Sequence, residues 1–363
     1  MPYGTVNVDK IVSSDGVTSG GTYGFKNRII NGAMVVSQRN GTSSVTPSVN
    51  PTYTLDRWSL TYSQGSKFSA QQNAGSVTPP AGYINYLGLT VVTSVSPLVT
   101  GDYFAVQQPI EGLNVADLAW GTASAATVTL SFWVRSSLTG TFGGALSNSA
   151  GSRSYPFTYT ISSANTWEQK SVTIAGDTTG TWLTTNGVGV YVRFGLGAGA
   201  TFSGTAGSWA ASNYFSATSA VSVVSTGSAT FYITGVQLEK GSTATSFDYR
   251  PYTTEFQLCQ RYYELFGHGG AGKAGSGNVN AEMAFTFQVI KRANPDILFV
   301  GSAANDVLTE CGVTTRKVSS IAGTSTGVNG TYVNSQTTVN GSGGVVISFA
   351  NSIAPWLSAS AEL

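Results

Sequence analysis

Hydrophobic and polar residues alternate with a period of two through much of the first two thirds of the chain. In Thr127–Arg135 every second residue is Val, Leu or Phe, and the residues between them are Thr, Ser, Trp and Arg. Val188–Phe194 and Leu87–Val95 alternate in the same way, and turn-forming sequences such as Pro79–Gly82 separate these runs. One apolar and one polar face on each strand predict antiparallel β-sheets that pack on a single side.

The period changes to three and four residues just after position 252. Aromatic residues and Cys259 recur at that spacing as far as Phe266, which is typical of one helix face. Thr254 and Gln257 match a capping box, so a helix is predicted with Thr254 as its N-cap. Its apolar face is expected to meet symmetry mates in an oligomer. The following Gly267–Gly277 is expected to be a flexible loop.

Strand-like alternation returns in the last part of the chain, for example at Phe285–Val289. This part spans about 85 residues and is very polar between its strands, so its core is expected to be thin and to favour oligomerisation. The first 25 residues cannot bury a core, so they either dock onto a partner or add an edge strand to the next domain. The expected organisation is an arm at 1–25, a β-sandwich at 26–252, a helix with a glycine-rich linker at 253–277 and a small β-sandwich at 278–363.

The composition supports strands and tight turns over exposed helices. Only 10% of residues are charged, against roughly a quarter in average soluble domains, and 44 are glycine. The formal net charge is +1 without any concentration of Lys or Arg, so no nucleic-acid partner is expected. No apolar run approaches the ~20 residues of a membrane span, and no signal peptide is recognisable. Two cysteines cannot form a disulfide framework, which points to synthesis in a reducing cytosol.

Several segments resemble known protein families. Asn27–Met34 and Phe231–Tyr252 resemble the first and last strands of a jelly-roll sandwich of the carbohydrate-binding-module type. Together with Leu258–Tyr263 and Lys291–Pro295, they make the chain resemble fibre and tail-appendage proteins of tailed bacteriophages. The resemblance implies an antiparallel jelly roll whose first and last strands pair side by side, followed by the helix and the second, smaller β-sandwich.

The same resemblance implies a homotrimeric fibre, made in the bacterial host's cytoplasm and located in the virion. Residues 1–25 would dock on tail or portal-proximal virion proteins, and the distal domains would recognise a host-surface glycan or protein. The tip is expected in residues 278–363. Two alternatives stay open: a purely structural adaptor, stem or decoration fibre, and a glycan depolymerase.

Related jelly rolls often hold a structural calcium ion with an acidic residue just after the Asn-Gly of the first strand. The corresponding residue is Ala33 here, and only Glu239 and Asp248 remain as acidic candidates. Two carboxylates with backbone carbonyls would form a weak calcium site at best. The sequence therefore assigns no metal ligands and no cofactor.

Two motifs suggest enzymes but lack the necessary partners. Gly267–Ala274 nearly forms a P-loop, but Ala274 stands where Ser or Thr would bind magnesium. Gly323–Gly327 matches a nucleophile elbow, yet His268 is the single histidine and the surrounding residues have no helical period. Acidic residues are scattered without the close pairs that would suggest glycan cleavage. A protein without catalytic residues is expected.

Aromatic side chains are the better candidates for binding, because sugars stack their apolar C–H faces on Trp and Tyr while amides and charged groups bond the hydroxyls. The candidate binding residues are Trp133, Trp182, Tyr191 and Trp209 in the sandwich, and Tyr332, Asn334 and Trp356 in the C-terminal region. Core packing or burial between protomers is the competing interpretation for the first group. Local loop packing is the competing interpretation for the second.

Overall fold

The computed structural model describes residues 11–12, 18–19, 26–266, 271–274, 280–299, 307–309, 315–337, 348–349 and 357–363, with side chains for 26–266, 285–298, 327–331 and 357–363. In the expected arm, β1 (Ile11–Val12) and β2 (Thr18–Ser19) pair antiparallel. Within the described residues, no helix has the length and apolar character to cross a membrane.

Two antiparallel sheets form a β-sandwich, as the alternation predicted. The strands of this part of the chain are β3 (Thr52–Leu55), β4 (Trp58–Tyr62), β5 (Phe68–Gln72), β6 (Leu87–Val91), β7 (Tyr103–Glu111), β8 (Val128–Ser136), β9 (Gly140–Ser147), β10 (Ser154–Ile161), β11 (Glu168–Ile174), β12 (Val188–Ala198), β13 (Ser203–Gly204), β14 (Ser216–Ala217) and β15 (Thr230–Lys240). The six-stranded sheet has the order β10-β9-β12-β7-β4-β3, and the five-stranded sheet has the order β11-β8-β15-β6-β5. The short strands β13 and β14 pair parallel. Short 3-10 helices lie at Ala74–Ser76, Gly112–Asn114, Ala116–Leu118 and Ala200–Phe202.

The core lies between the two sheets and uses the residues that the alternation assigned to it. The four apolar residues of β8 are fully buried, and so are Val192 and Phe194 of β12. Phe132 of β8 packs edge-on against Phe194, with 4.9 Å between ring centroids. These contacts fix which side chains of each sheet face outward.

The opening segment lies beside β15, as predicted, but it is not a regular strand. Arg28 N donates to Leu238 O at 2.9 Å, and Val236 N donates to Gly32 O at 3.0 Å. Between these contacts the backbone turns, because Asn31 adopts a positive φ of 58° and its amide side chain donates to the carbonyl of Val36. A side-chain-bonded turn therefore replaces the strand that the sequence suggested.

The predicted helix is shorter and starts earlier than expected. Helix α1 spans Tyr252–Gln260, with Pro251 as its N-cap and no side-chain capping bond, so the Thr254 capping box does not form. The next residues leave the helix and form a strand. Cys259 of the helix and Tyr263, which lies in the strand after it, are both buried within the protomer. These two residues of the predicted helix face are therefore not free to meet symmetry mates.

A second, smaller β-domain of two sheets follows the helix. Its strands are β16 (Tyr263–Phe266), β17 (Ala271–Ala274), β18 (Asn280–Thr286), β19 (Asp296–Phe299), β20 (Val307–Thr309), β21 (Thr315–Gly327), β22 (Gly330–Thr337), β23 (Ser348–Phe349) and β24 (Leu357–Ser360). The sheet orders are β16-β24-β19 and β17-β18-β22-β21-β20-β23. Phe266 of the first sheet packs on Phe285 of the second, 5.5 Å between centroids. Strand β17 falls inside the predicted linker, whose other glycine-rich residues lie outside the described part.

Candidate binding surface at one end of the sandwich

Three tryptophans and a tyrosine meet at one end of the sandwich. We refer to Trp120, Trp182, Trp209 and Tyr155 as the tryptophan cluster. The ring centroids of the three indoles lie 4.8–5.3 Å apart, and each pair meets edge to face. Tyr155 adds a further edge contact to Trp209 at 5.3 Å. Trp120 is buried, whereas Trp182 and Trp209 are half-buried, so two indoles reach the surface over a third.

The strand register brings the loops of the cluster to the same end. Glu111 at the end of β7 pairs with Val188 at the start of β12, and Val128 at the start of β8 pairs with Ile174 at the end of β11. The loop with Trp120 and the loop with Trp182 therefore leave the sandwich side by side. Trp209 is added by the segment between β13 and β14.

Backbone contacts fix these loops against each other. Gly121 N donates to Asp177 O at 2.7 Å. Gly121 has a φ of 83°, and a Cβ there would meet the carbonyl oxygen of Gly180 at 2.7 Å, so only glycine permits this approach. The three indole N–H groups donate to backbone carbonyls of Ala126, Thr179 and Ala175. The hydrocarbon surfaces of the rings are therefore what the cluster offers to solvent.

A partly buried ion pair between Arg153 and Asp177 supports the loop beside Trp182. The two nitrogens Nε and Nη2 of Arg153 each donate to an oxygen of Asp177 at 2.7 Å. Burial alone would raise the pKa of Asp177, but the hydrogen bonds from Arg153 and Thr179 outweigh it and hold the pKa below its usual value. Asp177 is therefore a charged structural anchor, engaged on both oxygens.

A small, partly open apolar cleft with room for about one water molecule adjoins the cluster. Its lining residues are Val115, Ala116, Leu118, Trp120, Trp182, Leu183, Thr184 and Val190. Leu183 is exposed, and so is Leu113, which precedes the lining residue Val115 by two positions. The cleft is too small to admit a sugar ring, so the partly exposed indoles beside it are the surface that suits the flat C–H face of a sugar.

The structure brings Trp182 and Trp209 together but places the other predicted residues elsewhere. Trp133 is half-buried on the outer face of the five-stranded sheet, opposite Thr234 of β15. Tyr191 is half-buried on the outer face of the six-stranded sheet. Tyr332 and Asn334 belong to β22, but their side chains are outside those described, and Trp356 lies outside the described residues altogether.

Sequence reasoning missed the two remaining members of the cluster. Trp120 follows two short 3-10 helices and belongs to no alternating run, so no pattern marked it. Tyr155 lies in β10, whose alternation of aromatic with Thr and Pro residues would have pointed to an inward-facing position.

The acidic residues considered for calcium are engaged by protein donors. Glu239 accepts hydrogen bonds from Gln237, from Thr245 N and from Thr245 Oγ1. Asp248 accepts from the backbone nitrogens of Lys26 and Asn27. In the described part of the chain, no three His, Cys, Asp or Glu residues come together as a metal site.

Comparison with known proteins leaves function open. No protein-family model matches the chain, and no curated protein matches it. Similar solved structures include the enzymatically active domain of tailspike protein 4 of bacteriophage CBA120, at 12% identity over 60% of this chain and 22% of that chain with a TM-score of 0.32. The module TmCBM61 in complex with β-1,4-galactotriose is similar at 7% identity over 59% of this chain and 99% of that chain, with a TM-score of 0.30.

A family 11 carbohydrate-binding module of Clostridium thermocellum, in complex with a β-1,3-1,4-mixed-linked tetrasaccharide, is similar at 10% identity over 55% of this chain and 97% of that chain, with a TM-score of 0.27. This chain thus spans less than a quarter of the tailspike chain. At these identities and TM-scores the similarities carry no argument about activity, ligand or assembly.

Proposed function

We propose that this protein is a non-catalytic, glycan-recognising fibre of a tailed bacteriophage and that the tryptophan cluster is a sugar-binding surface. The observation that carries the proposal is the pair of half-buried indoles, Trp182 and Trp209, which reach the surface beside a small apolar cleft. Their N–H groups are already bonded within the protein, so ring faces and edges remain for a ligand. The phage assignment rests on the sequence resemblance.

Binding without cleavage fits the charges around the cleft. Glycoside hydrolysis commonly uses two carboxyl groups, roughly 5 to 9.5 Å apart, on either side of the scissile bond. None of the residues that line the cleft is acidic. The neighbouring Asp177 is held by Arg153. Asp117, between the lining residues Ala116 and Leu118, pairs with Arg28 and Lys240. Two carboxylates that are both held in ion pairs do not match the acid and the base or nucleophile that cleavage needs.

Substitution of the exposed indoles tests the proposed surface. We expect Trp182→Ala and Trp209→Ala each to weaken binding to oligosaccharides on a glycan array by about three- to tenfold, the size of a lost aromatic contact. Trp133→Ala is the matched control, since Trp133 is also a half-buried tryptophan but lies on the outer sheet face. Thermal unfolding of each variant separates lost contacts from lost folding. Equal binding by all three variants and the parent protein would exclude the cluster.

The structural alternative has an observation in its favour. Trp120 is buried, and all three indole N–H groups are bonded internally, as expected if the cluster only closes the end of the core. In that case Trp182→Ala and Trp209→Ala would lower the unfolding temperature, and the parent protein would bind no glycan on the array.

We further propose that the fibre is a homotrimer that residues 1–25 attach to the particle. Three copies would raise the avidity of weak individual sugar contacts by orders of magnitude. Light scattering at micromolar concentration should give three times the mass of one chain, and a monomeric mass would contradict the trimer. Protein lacking residues 1–25 should remain trimeric but not join virions. Its incorporation would place the docking surface elsewhere.

A further inference from the structure

Arg193 is a buried cation without a carboxylate partner among the described residues. It lies on β12, near the centre of the six-stranded sheet, and points to the outer face with only 6% of its surface exposed. Buried charges in proteins are normally paired, because an uncompensated charge is costly to remove from water. Two other arginines, whose side chains are at most 3% exposed, follow this rule: Arg57 pairs with Glu362, and Arg250 pairs with Glu255.

Neutral groups hold the Arg193 guanidinium in place. Its Nε donates to Gln107 Oε1 at 3.2 Å, and its Nη1 donates to Asn213 Oδ1 at 2.8 Å. The Cζ atom of its guanidinium lies 3.9 Å from the ring centroid of Phe215 and 4.7 Å from that of Tyr191. Nη2 donates to no described residue. Burial lowers the pKa of Arg193 to about 10, so the group is still charged at neutral pH and lacks a counter-charge.

The surroundings are preorganised. Asn213 belongs to a segment pinned to β10, where Ser154 Oγ donates to Ser212 O at 2.6 Å and Tyr214 N donates to Ser154 Oγ at 3.1 Å. Tyr191 is half-buried on the same sheet face, and its neighbours across the sheet are Pro109 and Ser147. A partly exposed aromatic ring therefore lies beside the free edge of a fixed guanidinium.

We propose that Arg193, Tyr191, Gln107 and Asn213 form a second glycan subsite, which takes the carboxylate of an acidic sugar. The planar guanidinium presents donors that match a carboxylate. The Tyr191 ring supplies a stacking face for the sugar ring that bears it, which favours a uronic acid over a free anion. This inference rests on the proposed glycan binding but uses a different face of the sandwich from the tryptophan cluster.

The test compares galacturonate with galactose oligosaccharides of equal length on the full-length protein, by calorimetry and by the shift in thermal unfolding. We expect about a tenfold or greater preference for the acidic series, as for a hydrogen bond to a charged group. Arg193→Gln should abolish the preference, and Trp133→Ala, on the outer face of the other sheet, should leave it intact. Inorganic phosphate is the control that distinguishes binding of an acidic sugar from binding of any free anion. Binding of phosphate as tight as that of galacturonate would overturn the sugar assignment.

Asn213→Asp gives an independent readout if Arg193→Gln fails to fold. The new carboxylate would lie at the position of the Asn213 amide, 2.8 Å from Nη1, and would neutralise Arg193 within the chain. We expect a higher unfolding temperature together with loss of the acidic preference.

Three results would overturn the subsite. One is a retained preference in either the Arg193→Gln or the Asn213→Asp variant. Another is equal binding of both sugar series, which leaves the tryptophan cluster proposal standing. The third is a change of oligomeric mass in Arg193→Gln without any acidic-sugar binding by the parent protein, which would assign the counter-charge to another copy of the chain.

Discussion

Replacing Glu111 by Gln should loosen the junction between the sandwich and the C-terminal region. Glu111 ends β7 and is 1% exposed. It accepts hydrogen bonds from Arg261 Nε at 2.9 Å, from Arg261 Nη2 at 2.6 Å and from Tyr262 Oη at 2.6 Å. The Glu111 carboxylate therefore joins the six-stranded sheet to Arg261 and Tyr262, the residues that lead from α1 into β16. Glutamine has nearly the same shape as glutamate but no charge. Its NH₂ group would replace one accepting oxygen and face an N–H or O–H donor, so that hydrogen bond would be lost.

The expected cost follows from the burial of the two partners. Removing one partner of a buried ion pair typically costs about 3–5 kcal/mol because the other charge is left uncompensated. Arg261 is 29% exposed and can be partly rehydrated, so we expect about 3 kcal/mol, the lower end of that range. This is a large fraction of the ~5–15 kcal/mol that stabilises most domains.

Urea unfolding of the full-length protein measures the effect, with Asp117→Asn as the control. Asp117 also pairs with an arginine, Arg28, at 2.8 Å, but the two side chains are 48% and 22% exposed. Such a surface pair contributes about 0–1 kcal/mol. If Glu111→Gln and Asp117→Asn lower the unfolding free energy equally, the junction does not depend on the Glu111 contacts and the reasoning is wrong.

Two further predictions concern the sandwich. Because hydrogen bonds hold the native pKa of Asp177 below its usual value, the stabilisation is full above the unfolded pKa of about 3.9 and is lost as pH falls through the lower native value. The difference in unfolding free energy between the parent protein and Asp177→Asn should therefore be constant near neutral pH and shrink below about pH 4. Ile233→Asp should prevent folding, because Ile233 is fully buried in the core and the substitution would bury an unpaired charge. Soluble protein with an unchanged circular dichroism spectrum would contradict the assignment of Ile233 to the core.

The alternation of the sequence predicted the sandwich because that signal depends only on which residues face the core. It could not predict the conformation of the opening segment or the helix end. The side-chain amide of Asn31 forms two hydrogen bonds with the backbone of Val36, five residues further along the chain. After Gln260 the chain pairs with β24, about a hundred residues away. Both outcomes depend on contacts between distant segments, which local periodicity does not record.

The candidate sites show the same limit. The sequence placed Trp182 and Trp209 among the aromatic candidates, but their meeting with Trp120 depends on the register of β7, β8, β11 and β12. For Arg193 the alternation predicted the outward face correctly. It did not predict that the segment around Asn213 covers that face and turns an exposed arginine into a buried one. Alternation assigns a face, whereas burial on that face depends on loops.

Several ion pairs of the described residues lie near the point where the sandwich meets α1 and the C-terminal strands. Among the described residues, three ion pairs join the opening segment or the sandwich to the residues that follow α1: Arg39–Glu362, Arg57–Glu362 and Arg261–Glu111. Arg250–Glu255 lies at the start of α1, and Lys291–Glu264 lies within the C-terminal region. The side chains of Arg57, Glu264 and Lys291 are at most 1% exposed, so salt screens these pairs far less than surface pairs. The junction is therefore expected to keep its geometry across ionic strengths.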